Sequence, residues 1–534
     1  YSLIDPLYVY TKNEGVPRMQ EAEYLQCTTQ KQVDFNPLFD CAYYAKWSGL
    51  DGSSDELRKH YLTTGWKTGL SPHPLFDIKY YESQLDAPLQ EPALVHYLRE
   101  GWQAGLSPNA LFDPVHYSTR ARFPENVCPL IHYMLAASGD PEPHYLFNDN
   151  RFMAIASTHL RGTNTNVSPL ELFLTRRNLQ KLSTHLYFEP QHYLHEIAKF
   201  TDGPVKAQLQ RAAHKMSPLA HYLLHGAKRH ISPSSHFWPE FYRAQLLASD
   251  EYMMEDDLPD CFLRHYLRDG GKAKFSPNPL ISLPFLAKTR KDFNQTTDEA
   301  LAFVLRQPEH QRPSPSPHFD SITYLDVHPD VRAHGVCPTE HFLMHGMHEQ
   351  RCPREFFSNS YARKFWGIAP DRNAIENYFL SQALQPKTRL LFTSHDASRT
   401  GAPGIVLRLI KDLSGLPGVE CFCILDKGGE LLPEFEAVAH THVLSQSVYQ
   451  LGPDNEAHRQ EVSNLLKGIA IDYAICNSLE TRHIAQYTDE LGIRTIMLMH
   501  EVPDLYPVAD LEFAMDKISH VVFPSNFIKD KMLG

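Results

Sequence analysis

A mainly α-helical, solenoid-like repeat array over residues 1–385, followed by an α/β Rossmann-like domain over 388–534, is the fold this sequence predicts, on three observations. His60 to Asp77 reads HYLTTGWKTGLSPHPLFD and His96 to Asp113 reads HYLREGWQAGLSPNALFD, two copies about 36 residues apart. The chain carries 30 His, 39 Pro and 26 Tyr, a surplus that a recurring motif explains. Near Gln385 the Pro and His density falls, and short apolar runs begin to alternate with helical patterns.

Looser copies extend the array. They are Pro129 to Met134, Pro218 to Leu223 with Gly226 and Ser232-Pro233, His265 to Leu267 with Gly270, and His341 to Leu343 with Gly346 and Pro353, with weaker ones near Leu170 and Leu301. Together they give roughly eight or nine units. Within a unit, Pro-Leu-Phe-Asp, as at Pro37 to Asp40, supplies a rigid turn, an apolar anchor and an Asp that caps a helix carrying Tyr43 and Tyr44. A second helix sets Leu94, Tyr97 and Leu98 on one stripe, and Gly101 and Gly105 are expected to release the backbone from it. Neither short helix buries its stripe alone, so successive units are expected to stack.

His60, His96, His132, His221, His265 and His341 share one register position. Positions a whole repeat apart do not converge on a single ion as tetrahedral ligands must, so packing or hydrogen-bonding roles are expected rather than a metal ladder. The acidic run Glu255, Asp256 and Asp257 reads as a solvated loop.

In the C-terminal part, Arg389 to Thr393, Val419 to Leu425, Ile471 to Cys476, Thr495 to Met499 and Ile518 to Phe523 read as buried strands separated by helices. That pattern indicates a parallel sheet covered on both faces. Val406, Leu409, Ile410 and Leu413 recur at helical spacing and mark a first crossover helix over about Ala402 to Leu413.

Ligands of such folds gather beyond the carboxyl ends of the strands. Here those ends carry His395 in the loop Ser394 to Pro403, Asn477-Ser478, His500-Glu501 and Pro524-Ser525-Asn526. Gly401 and Ala402 open the first helix, where backbone N–H groups and the helix end favour an anion by about 0.3 to 1 kcal/mol. The loop lacks both the P-loop and the Gly-x-Gly-x-x-Gly pattern, which argues against an ordinary nucleotide or dinucleotide site. A His at a strand end is placed to bond a sugar hydroxyl or steady a developing charge, and Glu501 is a candidate base.

A net charge of -12, from 51 basic and 63 acidic residues, gives no cation excess for a phosphate backbone, so no nucleic-acid partner is expected. Nine cysteines at irregular spacing, with no Cys-x-x-Cys, point to a reducing compartment. No apolar stretch reaches the roughly 18 to 20 residues that span a bilayer.

Two resemblances follow from these motifs. The repeat resembles the Pro-Leu-Phe-Asp, His-Tyr-Leu repeats found in bacterial glycosyltransferases and rhamnan-synthesis-like surface-polysaccharide proteins. The runs LLFTSHDASRTGAP, GGELLPEFEA, DYAICNS, IMLMHEVPD and VVFPSNFIKD together resemble the N-terminal half of retaining glycosyltransferases of family 4, which have the GT-B fold.

The second resemblance implies transfer of a sugar from a nucleotide-sugar donor to a bacterial surface glycan such as capsule or O-antigen. It implies Gly401 and Ala402 at the donor diphosphate and His500 near the donor sugar, with His395, Asn477 and Ser525 as cleft residues. It also implies a glycan or lipid-linked glycan acceptor, polysaccharide-assembly partners for the repeats, and a cytoplasmic place with peripheral association at the inner membrane as an option.

The donor-binding half of that family carries a Glu-x7-Glu motif, which is absent between Gln385 and Gly534. The chain therefore reads as a fragment, inactive by itself. Asp-x-Asp is absent too, so no cofactor and no catalytic metal are expected. The competing expectation is a non-catalytic polysaccharide-binding or assembly scaffold with a degenerate Rossmann half.

Overall fold

The structure, a computed structural model, describes residues 36–533 apart from 123–126, 136–140, 161–166, 200–202, 250, 253, 270, 295–298, 308–313, 317, 355–356, 358, 360–362, 364–372, 385–387, 417, 448–455, 467–468 and 470. The chain divides into two compact units, Tyr1–Pro239 with Pro259–Gly271, and Glu240–Leu258 with Lys272–Gly534. Helices fill the described residues before 385, and a six-stranded parallel sheet with its own helices follows them. Among the described residues no helix is long and apolar enough to cross a membrane.

The repeated motif has a repeated geometry. Asp40, Asp77 and Asp113 accept from the N–H groups of Tyr43, Tyr80 and His116 at 2.9, 3.2 and 2.9 Å, which starts the helices Cys41–Ser48, Ile78–Glu82 and Pro114–Arg120. In several of these turns the residue at the head closes it by accepting from the N–H two positions on. Asn36, Asn109 and Asn278 do so through Oδ1, and His73, His144 and His185 through Nδ1. These histidines form a second register of the surplus, one the sequence reading does not separate from the first.

The cap residue also links one unit to the next through its own N–H. Asp40 donates to Pro72 O, Asp77 to Pro108 O, Asp113 to Pro143 O, Glu189 to Pro233 O, Ser282 to Pro315 O and Asp320 to Pro353 O, all at 2.9 to 3.1 Å. Proline offers a carbonyl without a competing N–H, so the segment accepts this bond without needing a donor partner of its own. The second tyrosine of a unit reaches forward as well. Tyr61 Oη accepts from Leu94 N at 3.3 Å and Tyr133 Oη from Leu170 N at 3.2 Å.

The shared His position is a hydrogen-bonding position. The hydroxyls of Tyr44, Tyr81, Tyr117, Tyr193 and Tyr324 lie 2.8, 2.5, 2.7, 2.7 and 3.0 Å from Nδ1 of His60, His96, His132, His221 and His341. All five tyrosines are buried, and a buried hydroxyl without a partner would cost about 1 to 3 kcal/mol. Gly270, in the His265 copy, lies outside the described residues.

The expected role of Gly101 as the helix exit is corrected. Trp102 N–H reaches back five residues to Tyr97 O, so Gly101 stays inside a π-type turn. What requires glycine is the tyrosine hydroxyl, since a Cβ at Gly65, Gly101, Gly226 or Gly346 would lie 1.8 to 2.2 Å from the hydroxyl of Tyr44, Tyr81, Tyr193 or Tyr324. The chain leaves the helix at Gly105, whose φ is 75°.

In the α/β part, β1 (Thr388–Ser394), β2 (Val419–Leu425), β3 (His440–Val443), β4 (Tyr473–Asn477), β5 (Arg494–Leu498) and β6 (His520–Val522) form one parallel sheet in the order β3-β2-β1-β4-β5-β6. Five of these match the sequence reading within a few residues. β3 is the addition: HTHV has no apolar run and sits at the sheet edge, so periodicity carries no signal for it.

Helix α1 (Gly401–Ser414) packs Val406, Leu407 and Ile410 on Phe392, Cys421, Cys423 and Leu425. On the other face, α2 (Glu456–Leu466) and α3 (Arg482–Glu490) cover Leu391, Phe422, Ile424 and Ala474 with Val462, Leu465, Ile484 and Tyr487. Both faces are thus buried, which explains strands that are apolar throughout.

At the amino ends of the strands, the fully buried Glu420 accepts from Tyr378 Oη at 2.6 Å and Arg389 Nε at 3.0 Å, with His440 Nε2 at 3.2 Å. Burial pushes its carboxyl up, but His440 and Arg389 outweigh that and hold it at about 2. This cluster fastens the helix carrying Tyr378 to the foot of the sheet, away from the carboxyl ends.

Candidate functional site

The sheet order reverses between β1 and β4, and a parallel sheet opens a crevice at the carboxyl ends of the two strands where that happens. Asn477 ends β4 there and is fully buried. Its Nδ2 donates to Ala402 O at 3.0 Å, and its Oδ1 lies 2.8 Å from His500 Nε2. Ala402, Asn477 and His500 therefore form one connected chain from the start of α1 to the end of β5.

The first turn of α1 is open. Thr400 sits at its cap in extended conformation and supplies no side-chain acceptor, and space beside Gly401 is empty to 4 Å. Pro403 brings no N–H, which leaves the amides of Gly401 and Ala402 as first-turn donors without an acceptor within the helix.

The preceding loop is held in place by its own hydrogen bonds. Asp396 Oδ1 accepts from Ser398 N at 3.0 Å and Ser398 Oγ at 2.8 Å, and Leu431 N donates to Ala397 O at 2.8 Å. Gly429 packs against this loop so closely that a Cβ there would meet Ala397 O at 2.5 Å. His395 is about a quarter exposed, with Nε2 3.7 Å from Asp396 Oδ1. Its Nδ1 is buried without a hydrogen-bond partner among the described residues.

Glu501 is engaged on every side. Its carboxylate accepts from Ser478 Oγ, from Leu479 N at 3.2 Å and from His500 N at 3.2 Å. Those donors brace the turn after β4 against the end of β5, and they suit a positioning carboxylate more than a base. Ser478 itself has φ 86° and ψ 146°, a region open to glycine and costly by about 1 to 3 kcal/mol for other residues. It stays there because Ser478 N donates to Leu498 O at 3.0 Å while its Oγ accepts from Glu480 N. Ser478 is read from the sequence as part of the strand end with Asn477, but its strained backbone carries no signal in the residues.

Ser525 stands apart from the others. Its Oγ accepts from Ile528 N at 3.3 Å at the start of α4 (Asn526–Leu533), a helix-capping arrangement. Of the sequence-derived candidates, Ala402, Asn477, His500 and Glu501 are thus joined by hydrogen bonds. Gly401 and His395 lie on the loop leading into the same helix. Comparison of the chain with protein-family models, with curated proteins and with solved structures gives no match.

Proposed function

We propose that the α/β part is the acceptor-side half of a retaining glycosyltransferase using a nucleotide-sugar donor, preceded by a solenoid-like helical array that presents acceptor glycan or assembly partners. The observation that carries this reading is the Ala402–Asn477–His500 chain at the point where the sheet order reverses. On this reading the amides of Gly401 and Ala402 face the diphosphate, whose charge the helix end favours. His500 faces the donor sugar with its orientation set by Asn477. Glu501 and Ser478 hold the two strand ends at a fixed separation, so that a group placed by one is in register with the other.

Support for the repeat half comes from its unit-to-unit bonds, cap N–H to proline carbonyl, which suit an extended array with nearest-neighbour contacts.

The test is a panel of nucleotide sugars offered to the complete gene product, read by release of nucleoside diphosphate. Turnover with one donor, reduced by about 100-fold or more in His500→Ala, supports the proposal. Turnover unchanged by His500→Ala removes His500 from the reaction, and no release with any donor removes the enzymatic reading in favour of a polysaccharide-binding scaffold.

A further inference from the structure

On the α2 and α3 side of the sheet, three buried metal-ligating side chains converge from separate elements. Asp426 follows the last residue of β2, His458 lies in α2 and His483 in α3. Their exposures are 2%, 1% and 2%, and one ligand atom from each lies within 4.8 Å of the other two. We propose that Asp426, His458 and His483 form a divalent-metal site of the zinc class, distinct from the crevice at His500.

The donor set fits the ion. Zinc takes imidazole and carboxylate ligands at about 2.0 to 2.2 Å in tetrahedral geometry, which places neighbouring ligand atoms roughly 3.4 Å apart. His458 Nε2 and Asp426 Oδ1 are already 3.7 Å apart. His483 Nε2 is buried and has no hydrogen-bond partner among the described residues, which leaves a nitrogen inside the cluster that no protein group satisfies. The two rings sit edge to face with centroids 5.2 Å apart.

The other carboxylate oxygen, Asp426 Oδ2, accepts from Ser447 Oγ at 2.5 Å, a support of the kind that fixes a ligating carboxylate.

The second cluster of this type, Asp40 with His73 and Glu171, carries no such argument. Asp40 Oδ1 is engaged by Tyr43 N and His73 Nδ1 by Leu75 N, both parts of the repeat turns. A metal at Asp426 would instead tie the end of β2 to both helices on one face of the sheet, with water or a further side chain as the fourth ligand.

The full chain, stripped with chelator and dialysed, is titrated with Zn2+ alone and with Co2+ alone. About one equivalent bound by calorimetry, a rise in Tm, and the intense visible absorption of four-coordinate Co2+ are expected, each lost in His483→Gln and in Asp426→Asn. His73→Gln, at the other cluster, should keep the stoichiometry. If the variants fail to fold, the Co2+ spectrum of the unmodified chain decides alone, since six-coordinate surface binding gives only weak absorption. Binding far below one equivalent, or the same spectrum and Tm shift in folded His483→Gln, overturns the proposal.

Discussion

His500 Nε2 donates to Asn477 Oδ1 across 2.8 Å, and Asn477 presents that oxygen because its Nδ2 is committed to Ala402 O. The amide thus dictates the tautomer: Nε2 carries the hydrogen and Nδ1 does not. Replacing Asn477 with Leu removes both bonds of this buried amide, so a loss of about 1 to 3 kcal/mol is expected in urea unfolding. In the same variant, imidazole nitrogen shifts of His500 should move from one fixed tautomer to a mixture. A stability loss with the tautomer unchanged would show that Asn477 packs without orienting the ring.

The pairing of tyrosine hydroxyl with glycine makes a second prediction. Gly101→Ala sets a Cβ 2.0 Å from Tyr81 Oη and should destabilise by about 1 to 3 kcal/mol. Tyr81→Phe alone removes the bond to His96 and should cost about 1 kcal/mol. The double variant should cost less than the sum, because the hydroxyl that clashes is gone. Full additivity in a double-mutant cycle would refute this steric account.

Gly429 makes a parallel case at the crevice. Alanine there must displace backbone at Ala397, not a flexible side-chain end, so the loop from Ser394 to Thr400 is expected to shift. A loss of about 2 kcal/mol or more, with faster amide exchange at Ser398, is the expected outcome. Unchanged exchange at Ser398 would show that the loop does not depend on this contact.

Asp149 supplies the pH dependence. It is buried, with Tyr133 Oη 3.1 and 3.0 Å from its two oxygens, and burial raises it to about 7 despite that hydroxyl. A raised carboxyl pKa means that the folded state holds the proton more tightly than the unfolded chain. Its contribution is therefore complete below about pH 4 and is lost as pH rises through about 7. Chemical denaturation across this range should show stability falling with pH in the native chain, with a smaller fall in Asp149→Asn. An identical slope in both proteins would exclude Asp149 as the source.

Much of this architecture is legible in the residues. Val419 to Leu425 reads as a strand and is one, because a buried parallel strand is apolar on both faces. Asp40 reads as a cap for the same local reason that it is one. His440 to Val443 is not legible, since an edge strand of four residues with two histidines owes its conformation to the ladder with β2. The site was legible as a set of strand ends, because the topology alone brings those ends to one rim. Which ends touch was not: nothing in the sequence separates Asn477, tied to His500, from Ser525, which caps its own helix. The convergence of Asp426, His458 and His483 was equally hidden, as three elements far apart in sequence meet only through the fold.

The bond from a cap N–H to a proline carbonyl, made at six caps while Asn148 N donates to Thr184 O instead, has a consequence for chain length. The anchors are 31 residues apart from Asp77 to Pro108 but 44 from Glu189 to Pro233, where the extra length forms the helix Gly203–Ala213. Chain inserted between two such anchors leaves both hydrogen-bonding partners in place. An engineered epitope grafted near Gly203 is therefore expected to leave the Glu189–Pro233 bond in place.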